Sequence, residues 1–141
     1  GMYQFEQDLH CTFREHGELQ TTDINAFWLK HQRAMFGTSV VMTDDYKIWW
    51  SYISHFFHSP FYVYAYTFGE ILTLSLFARY QTHGQTMVKE YFSLLRAGGS
   101  KTPAEFLQPF GLSLEDPTFW EGGLDTIETL VREAKKIYRK K

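Results

Sequence analysis

The chain has 141 residues, a formal net charge of −2, a hydrophobic fraction of 44% and an aromatic fraction of 18%. These values indicate one globular domain with a core or groove lined by rings, and they exclude a disordered chain. The charge gives no electrostatic case for binding nucleic acid or an anionic membrane. No stretch has the roughly 18 consecutive apolar residues of a membrane span.

The single cysteine and the N-terminus bear on the cellular setting. Cys11 is the only cysteine, which excludes an internal disulfide and predicts a reducing, cytoplasmic location. The N-terminus does not predict a signal peptide, because Glu6 and Asp8 fall where an apolar run would be needed. Gly1 is interpreted as a remnant of tag removal, so the domain is taken as residues 2–141.

The first predicted helix runs from Tyr3 to His16. Phe5, Leu9 and Phe13 recur in it at four-residue spacing, and Gly17 is expected to end it with a left-handed cap.

Two polar residues of this helix, Glu6 and His10, lie one turn apart. They could share a metal, as could His10 and His16. The favoured interpretation is an exposed polar face, which is the usual outer side of an amphipathic helix.

A second helix is predicted from a cap at Thr22 or Asp23 to Phe36. His31 lies near its apolar face and is interpreted as a satisfied core or boundary histidine. A third helix follows and brings the chain to His55.

The most apolar segment follows His55 and predicts a long central helix of about 23 residues, ended by Gly84. Three further helices are predicted: Gln85 to Arg96, a short helix capped by Thr102 and ended by Gly111, and a last helix that begins at Asp116-Pro117 and is interrupted by Gly122-Gly123. The charge of the basic tail is interpreted as opposing the macrodipole of the last helix; the tail consists of Lys135, Lys136, Arg139, Lys140 and Lys141. The pattern predicts an all-α single domain of about six to seven helices.

No motif for a nucleophile, a metal or a phosphate is present. None of the six histidines is followed directly by Glu, so the zinc-peptidase pattern H-E-x-x-H is absent. The chain has no C-x-x-C and no Walker loop, and Gly98-Gly99-Ser100 lies between predicted helices, which indicates a loop. What remains is a cluster of histidines and tyrosines: His55, His58, Tyr62, Tyr64 and Tyr66.

The geometry of this cluster depends on where the long helix begins. If Pro60 sits in its first turn, Tyr62 and Tyr66 lie on one face and Tyr64 points elsewhere. If the segment is extended, all three tyrosines face one side. Tyrosine hydroxyls and an imidazole can donate to a developing oxyanion. Without a nucleophile or metal, such donors bind but do not cleave, and an aromatic core with satisfied hydroxyls is the alternative.

The run HFFHSPFYVYAYTFGEILTLSLFARY closely resembles the C-terminal part of the oligoendopeptidase F family, zinc peptidases related to thimet oligopeptidase. The segments YQFEQDLHCTFREHGEL, MFGTSVVMTDD and LLRAGGSKTPAEFLQPFGLSLEDPTFWEGGL resemble it in the same order. The resemblance covers nearly the whole chain, and HSPFYVYAY is its most specific part.

The resemblance implies a C-terminal helical lobe of a cytosolic enzyme that cleaves short peptides. In the family, zinc is held by H-E-x-x-H and a downstream Glu, which lie N-terminal to the matched region, so this chain is expected to hold no metal and no cofactor. The family's His and Tyr donors to the substrate carbonyl match His55, Tyr62 and Tyr66. His58 and Tyr64 are the further substrate-binding positions that the resemblance implies.

Three hypotheses follow. The chain is a fragment or truncated relative of an oligoendopeptidase that acts on short peptides when the zinc-bearing part is supplied, and is inactive alone. Alternatively, it is a helical interaction module that self-associates or pairs with another chain through an exposed aromatic surface. An enzyme active by another route has little support, since neither a nucleophile nor a metal site is evident.

Overall fold

The structure is a computed structural model that describes residues 1–139. This part of the chain is helical and holds no β-strand, which confirms the all-α prediction. Seven α-helices and two 3₁₀ helices lie in it: α1 (Met2–His16), α2 (Thr21–Phe36), a 3₁₀ helix (Asp44–Tyr52), α3 (His55–His58), α4 (Tyr64–His83), α5 (Gln85–Ala97), α6 (Pro103–Leu107), a second 3₁₀ helix (Gln108–Phe110) and α7 (Pro117–Tyr138). No helix within the described residues is long and apolar enough to cross a membrane.

The chain divides into two compact units, Gly1–Thr67 and a second unit that begins at Phe68. The core of the first unit is aromatic. Phe5 and Trp28 are 0% and 2% exposed, and their rings meet edge-on with centroids 5.3 Å apart. Phe56 lies 5.0 Å from Phe5 in the same edge-on manner. These three rings fill the space between α1, α2 and α3.

A polar contact joins α1 to α2 beside this core. The Asp8 carboxylate accepts from Lys30 Nζ at 2.6 Å, and the same oxygen lies 2.8 Å from His31 Nε2. His31 is half-buried and satisfied, which confirms the interpretation of it as a boundary histidine. The hydrogen bond from Lys30, followed by that from His31, lowers the pKa of Asp8 below its ordinary value, against an opposing effect of burial.

The N-terminus of α2 differs from the prediction. The helix begins at Thr21 with Gln20 as its N-cap, two to three residues before the expected cap. Asp23 still takes part, because its carboxylate accepts from the Gln20 backbone N–H at 3.0 Å. Asp23 therefore acts as the third helical residue of a capping arrangement, and not as the cap itself.

The predicted long helix is also different at its start. Helix α4 begins at Tyr64 and has 20 residues, so Pro60 does not lie in its first turn. The four-residue helix α3 ends at His58, and Ser59 adopts φ −144°. Proline disfavours helical backbone at the residue before it, which accounts for the break. The predicted end is confirmed, because Gly84 has φ 58° and lies between α4 and α5.

The second unit is built around Leu76, Met87, Leu107 and Phe119. Its predicted helix starts are confirmed. Thr102 and Glu105 form a capping box, with the Thr102 N–H donating to Glu105 Oε2 at 2.8 Å. Asp116 caps α7 by accepting from the Thr118 N–H at 2.9 Å.

The predicted interruption at Gly122-Gly123 is wrong. Helix α7 continues through both glycines, and Gly123 is buried. A Cβ at Gly123 would lie 2.6 Å from Ser75 Oγ and 2.8 Å from the Ile71 carbonyl oxygen. At Gly123, α7 therefore lies too close to α4 to leave room for a side chain.

The predicted basic tail is described in part. Lys135 and Lys136 lie in the last turn of α7, where positive charge opposes the helix dipole. Lys140 and Lys141 lie outside the described residues.

Candidate functional site

The structure brings three of the predicted site residues together in the first unit. Tyr66 Oη and His55 Nε2 are 2.9 Å apart, a hydrogen bond whose direction depends on the histidine tautomer. The imidazole of His55 stacks on Tyr62 with centroids 5.6 Å apart and planes 13° apart. Tyr66 meets His55 and Tyr62 edge-on, at 5.5 and 5.7 Å. Each ring of this His55–Tyr62–Tyr66 cluster thus contacts the other two.

The cluster lies at the surface. Tyr62 is 49% exposed and Tyr66 is 57% exposed, and His55 is half-buried. The alternative of an aromatic core with satisfied hydroxyls is therefore wrong for these tyrosines. Polar groups on a shared, open face can reach a ligand, whereas the same groups in a core could not.

The other two predicted residues, His58 and Tyr64, lie apart from the cluster. His58 is exposed at the end of α3. Tyr64 lines a separate cavity of about 280 Å³ together with Phe61 and residues of α1. The separation of Tyr64 from Tyr62 and Tyr66 agrees with the helical alternative, in which Tyr64 points elsewhere. The backbone conformation does not agree with that alternative, because Tyr62 precedes the start of α4. The extended alternative, with all three tyrosines on one side, is wrong.

The segment between α3 and α4 sets this arrangement. Phe61 has φ 64°, an uncommon value for a residue other than glycine. Tyr62 follows it and donates its backbone N–H to the Ser59 carbonyl at 3.2 Å. Val63 is 5% exposed and anchors the segment in the interior. The chain therefore turns back on itself between His55 and Tyr66, and the turn brings their side chains into contact.

Glu6 also belongs to this region, and the exposure that the sequence predicted for it is wrong. It was expected on an exposed polar face, but it is 3% exposed. Its Oε1 accepts the Phe61 backbone N–H at 2.7 Å. A signal was present in the sequence, because Glu6 precedes Leu9 by three residues and Phe13 by seven and so lies on their side of the helix.

His10 flanks the same contact. Its Nε2 lies 3.9 Å from Glu6 Oε1, and its ring lies 4.3 Å from the ring of Phe61. This pair does not make a metal site. Within the described residues, no group of three or more His, Cys, Asp or Glu side chains could hold a metal ion.

The arrangement can donate hydrogen bonds to an oxygen. A phenol O–H on an exposed face suits a carbonyl oxygen that gains negative charge. Residues 2–126 match the peptidase family M3. The chain belongs to peptidase family M3.

Relatives of this M3 chain agree with the predicted resemblance. It is 26% identical over 140 residues to the protein named oligopeptidase PepF of Bacillus subtilis, a match that covers 94% of this chain and 21% of that protein. It is 26% identical over 136 residues to an oligoendopeptidase F homolog of Borreliella burgdorferi, covering 96% of this chain and 23% of the relative. An oligoendopeptidase F homolog of Mycoplasma genitalium matches at 26% over 88 residues, 62% of this chain and 14% of the relative.

These matches confirm the oligoendopeptidase F-like assignment of this M3 chain. The chain spans about a fifth of the length of the first two relatives. No solved structure matches the chain significantly.

Proposed function

We propose that the His55–Tyr62–Tyr66 cluster is the substrate-carbonyl side of an oligoendopeptidase-type site that acts on short peptides. The observation that carries the proposal is the 2.9 Å contact between Tyr66 Oη and His55 Nε2 on an exposed face. The M3 family match and the names of the relatives support peptides as the substrate class.

The roles follow from the hydrogen-bond chemistry. With the proton on His55 Nε2, the imidazole donates to the Tyr66 oxygen, which leaves the Tyr66 O–H free to donate to a peptide carbonyl. A hydroxyl that accepts one hydrogen bond is a better donor in the next, because linked hydrogen bonds polarise one another. Tyr62 stacks on the imidazole and so fixes its plane, and its own hydroxyl is a second donor.

His58 and Tyr64 have different parts in this proposal. Tyr64 lines the cavity that it shares with Phe61 and is suited to packing against a substrate side chain. His58, exposed at the end of α3, is placed to contact the peptide away from the scissile carbonyl.

The chain alone is proposed to be inactive. It has no H-E-x-x-H in its sequence, and the described side chains do not form a group that fits zinc. In the intact family, zinc supplies the Lewis acid and activated water that hydrolysis needs. We therefore assign no hydrolytic step to the residues of this chain. We also propose a cytoplasmic location, where the free cysteine of the chain would stay reduced.

A second candidate function is a helical interaction module. Helices α4 and α5 form an open apolar groove of about 390 Å³, lined by rings that include Phe77, Tyr91 and Phe92. Phe92 is 52% exposed. Exposed apolar grooves commonly mark interfaces, and self-association through this groove is the alternative to the peptidase role.

The test uses a chimera in which this chain replaces the matching segment of Bacillus subtilis oligopeptidase PepF. We expect His55→Gln and Tyr66→Phe to lower kcat for a fluorogenic peptide more than they raise KM. Matched controls are His16→Gln, whose side chain is 70% exposed, and Tyr52→Phe, which is 80% exposed. Equal kcat in the site variants and the controls would overturn the proposal.

A separate measurement addresses the chain alone. We expect the purified chain to show no cleavage of the same peptide with or without added zinc. Zinc-dependent turnover that follows the chain through purification would overturn the statement that it is inactive alone. Sedimentation tests the alternative function, because a monomer at tens of micromolar contradicts a self-associating module.

A further inference from the structure

We propose that Glu6 is a positioning residue that holds the Phe61 backbone in place and thereby sets the contact between His55 and Tyr66. The proposal concerns α1, which contributes no residue to the cluster. The effect of Glu6 on catalysis rests on the function proposed above. The positioning of His55 and Tyr66 by Glu6 does not.

The first observation is the burial of Glu6. A carboxylate that is 3% exposed needs a partner, and Oε1 has one in the Phe61 N–H at 2.7 Å. Hydrogen bonds to a charged acceptor are shorter and stronger than those between neutral groups. The bond spans 55 positions in sequence, so it ties the start of the chain to the segment between α3 and α4.

The second observation is the conformation of Phe61. Its φ of 64° lies in the left-handed region, where a Cβ meets the neighbouring carbonyl oxygen. Such a conformation persists where the surroundings hold it. The Glu6 carboxylate holds the N–H of this residue, and His10 on the same helix packs its ring 4.3 Å from the Phe61 ring.

The third observation is the position of Phe61 in the chain. It lies between His55 and Tyr66 and directly precedes Tyr62, so a change in its φ alters the path that brings the three rings together. Val63 is buried beside it, but a buried side chain alone does not set the backbone direction two residues earlier. Within the turn the Tyr62 N–H bonds to the Ser59 carbonyl, and the Glu6 carboxylate adds a contact to the Phe61 N–H from outside the segment.

The matched variants are Glu6→Ala, Glu6→Gln and Glu15→Ala. Glutamine keeps an acceptor oxygen at the same place, and alanine removes it. Glu15 lies on the same helix with a side chain that is 71% exposed, so its removal controls for loss of a carboxylate from α1.

The first readout is nuclear magnetic resonance of the full chain, without zinc or catalysis. We expect the Phe61 amide hydrogen of the native protein to exchange slowly with solvent. The signals of the His55 ring nitrogen and of the Tyr66 ring should report the contact between these two side chains. Glu6→Ala should lose the contact signals, whereas Glu6→Gln and Glu15→Ala should keep them. Loss of the signals in Glu6→Gln to the same extent as in Glu6→Ala would overturn the proposal.

The native protein keeps the proposal falsifiable if Glu6→Ala does not fold. A Phe61 amide that exchanges as fast as an open loop amide would overturn it without any variant. So would a folded Glu6→Ala protein that retains the His55 and Tyr66 signals.

The second readout is kcat in the PepF chimera. Misplacement of a catalytic group by about 1 Å can lower a rate up to about a hundredfold, so we expect Glu6→Ala to lower kcat by about tenfold or more with KM little changed. Glu6→Gln should keep most of the native kcat.

The two proposals can fail separately. If His55 and Tyr66 variants leave kcat unchanged while the resonance results hold, the proposed function fails and the positioning role stands. If kcat depends on His55 and Tyr66 but Glu6→Ala leaves their contact intact, the positioning role fails and the proposed function stands.

Discussion

The hydroxyl of Tyr66 lies 2.9 Å from Nε2 of His55, although the two residues are 11 positions apart and belong to different helices. An uninterrupted helix would place them three turns apart, about 16 Å along its axis. The contact therefore exists because α3 ends at His58 and the chain reverses before α4. It makes Tyr66 different from the neighbouring Tyr62, which has the stacking contact with His55 instead.

This difference predicts an order of effects in the PepF chimera. Tyr66→Phe removes a hydroxyl that is hydrogen-bonded to His55, whereas Tyr62→Phe keeps the stacked ring and removes a hydroxyl without that partner. Loss of one donor to a developing oxyanion lowers kcat by about a hundredfold or more, and we expect Tyr66→Phe to approach that value. Tyr62→Phe should have the smaller effect. Steady-state kinetics with one fluorogenic peptide gives the comparison, and a larger effect at Tyr62 would contradict it.

The sequence predicted much of the fold because the relevant signals are local. The capping box at Thr102 and Glu105 and the cap at Asp116 follow from residue type and spacing, and both are present. The break before α4 also had a local signal, since Pro60 disfavours helix at Ser59. The prediction of a longer helix gave more weight to the apolar run than to this proline.

The features that the sequence did not predict depend on contacts between segments that are distant in the chain. The left-handed backbone of Phe61 is held by Glu6, which is 55 positions away, and no pattern within the segment indicates that partner. The predicted break at Gly123 relied on the low helix propensity of glycine. The close packing of α7 against Ser75 on α4 outweighs that propensity. This packing becomes visible only when the two helices are placed together.

Gly123 gives a stability prediction. In Gly123→Ala the new methyl group would meet Ser75 Oγ at 2.6 Å and the Ile71 carbonyl oxygen at 2.8 Å. Since the second contact is with backbone, α7 must shift, and we expect the free energy of unfolding to fall by about 1–3 kcal/mol. Urea unfolding followed by circular dichroism measures the change.

The matched control for this variant is Gly69→Ala on α4. A Cβ at Gly69 meets no atom within 4 Å, so the substitution should raise the free energy of unfolding by up to about 1 kcal/mol through helix propensity. Opposite signs at the two glycines are the expected outcome. Destabilisation of the same size at both would show that Gly123 has no special packing role.

Thr102 tests the capping box of α6. Thr102→Ala removes the side-chain oxygen that accepts the Glu105 N–H, and we expect about 1 kcal/mol of lost stability. Thr102→Ser keeps the oxygen and should stay near the native value. The same urea experiment distinguishes the two, and equal losses in Ala and Ser would assign the effect to the lost methyl group instead.

Asp8 gives a prediction of pH dependence. Its folded-state pKa lies below the ordinary value of 3.8, chiefly because Lys30 donates a hydrogen bond to the charged form. A carboxylate with a lowered pKa stabilises the fold at pH values above its unfolded pKa, and this contribution is lost as the pH falls through the folded pKa. Asp8→Asn should therefore be less stable than the native protein at pH 7, by about 1 kcal/mol for hydrogen bonds of this kind.

The difference between native protein and Asp8→Asn should shrink as the pH falls below 3.8 and vanish below the folded pKa. Urea unfolding at a series of pH values measures it, with Asp125→Asn as a control, because Asp125 is exposed on α7. The sign follows from proton binding: below pH 3.8 the unfolded chain binds the Asp8 proton before the folded chain does, so acid favours unfolding. A difference that stays constant from pH 7 to pH 2 would mean that Asp8 stabilises the fold through packing, independently of its charge.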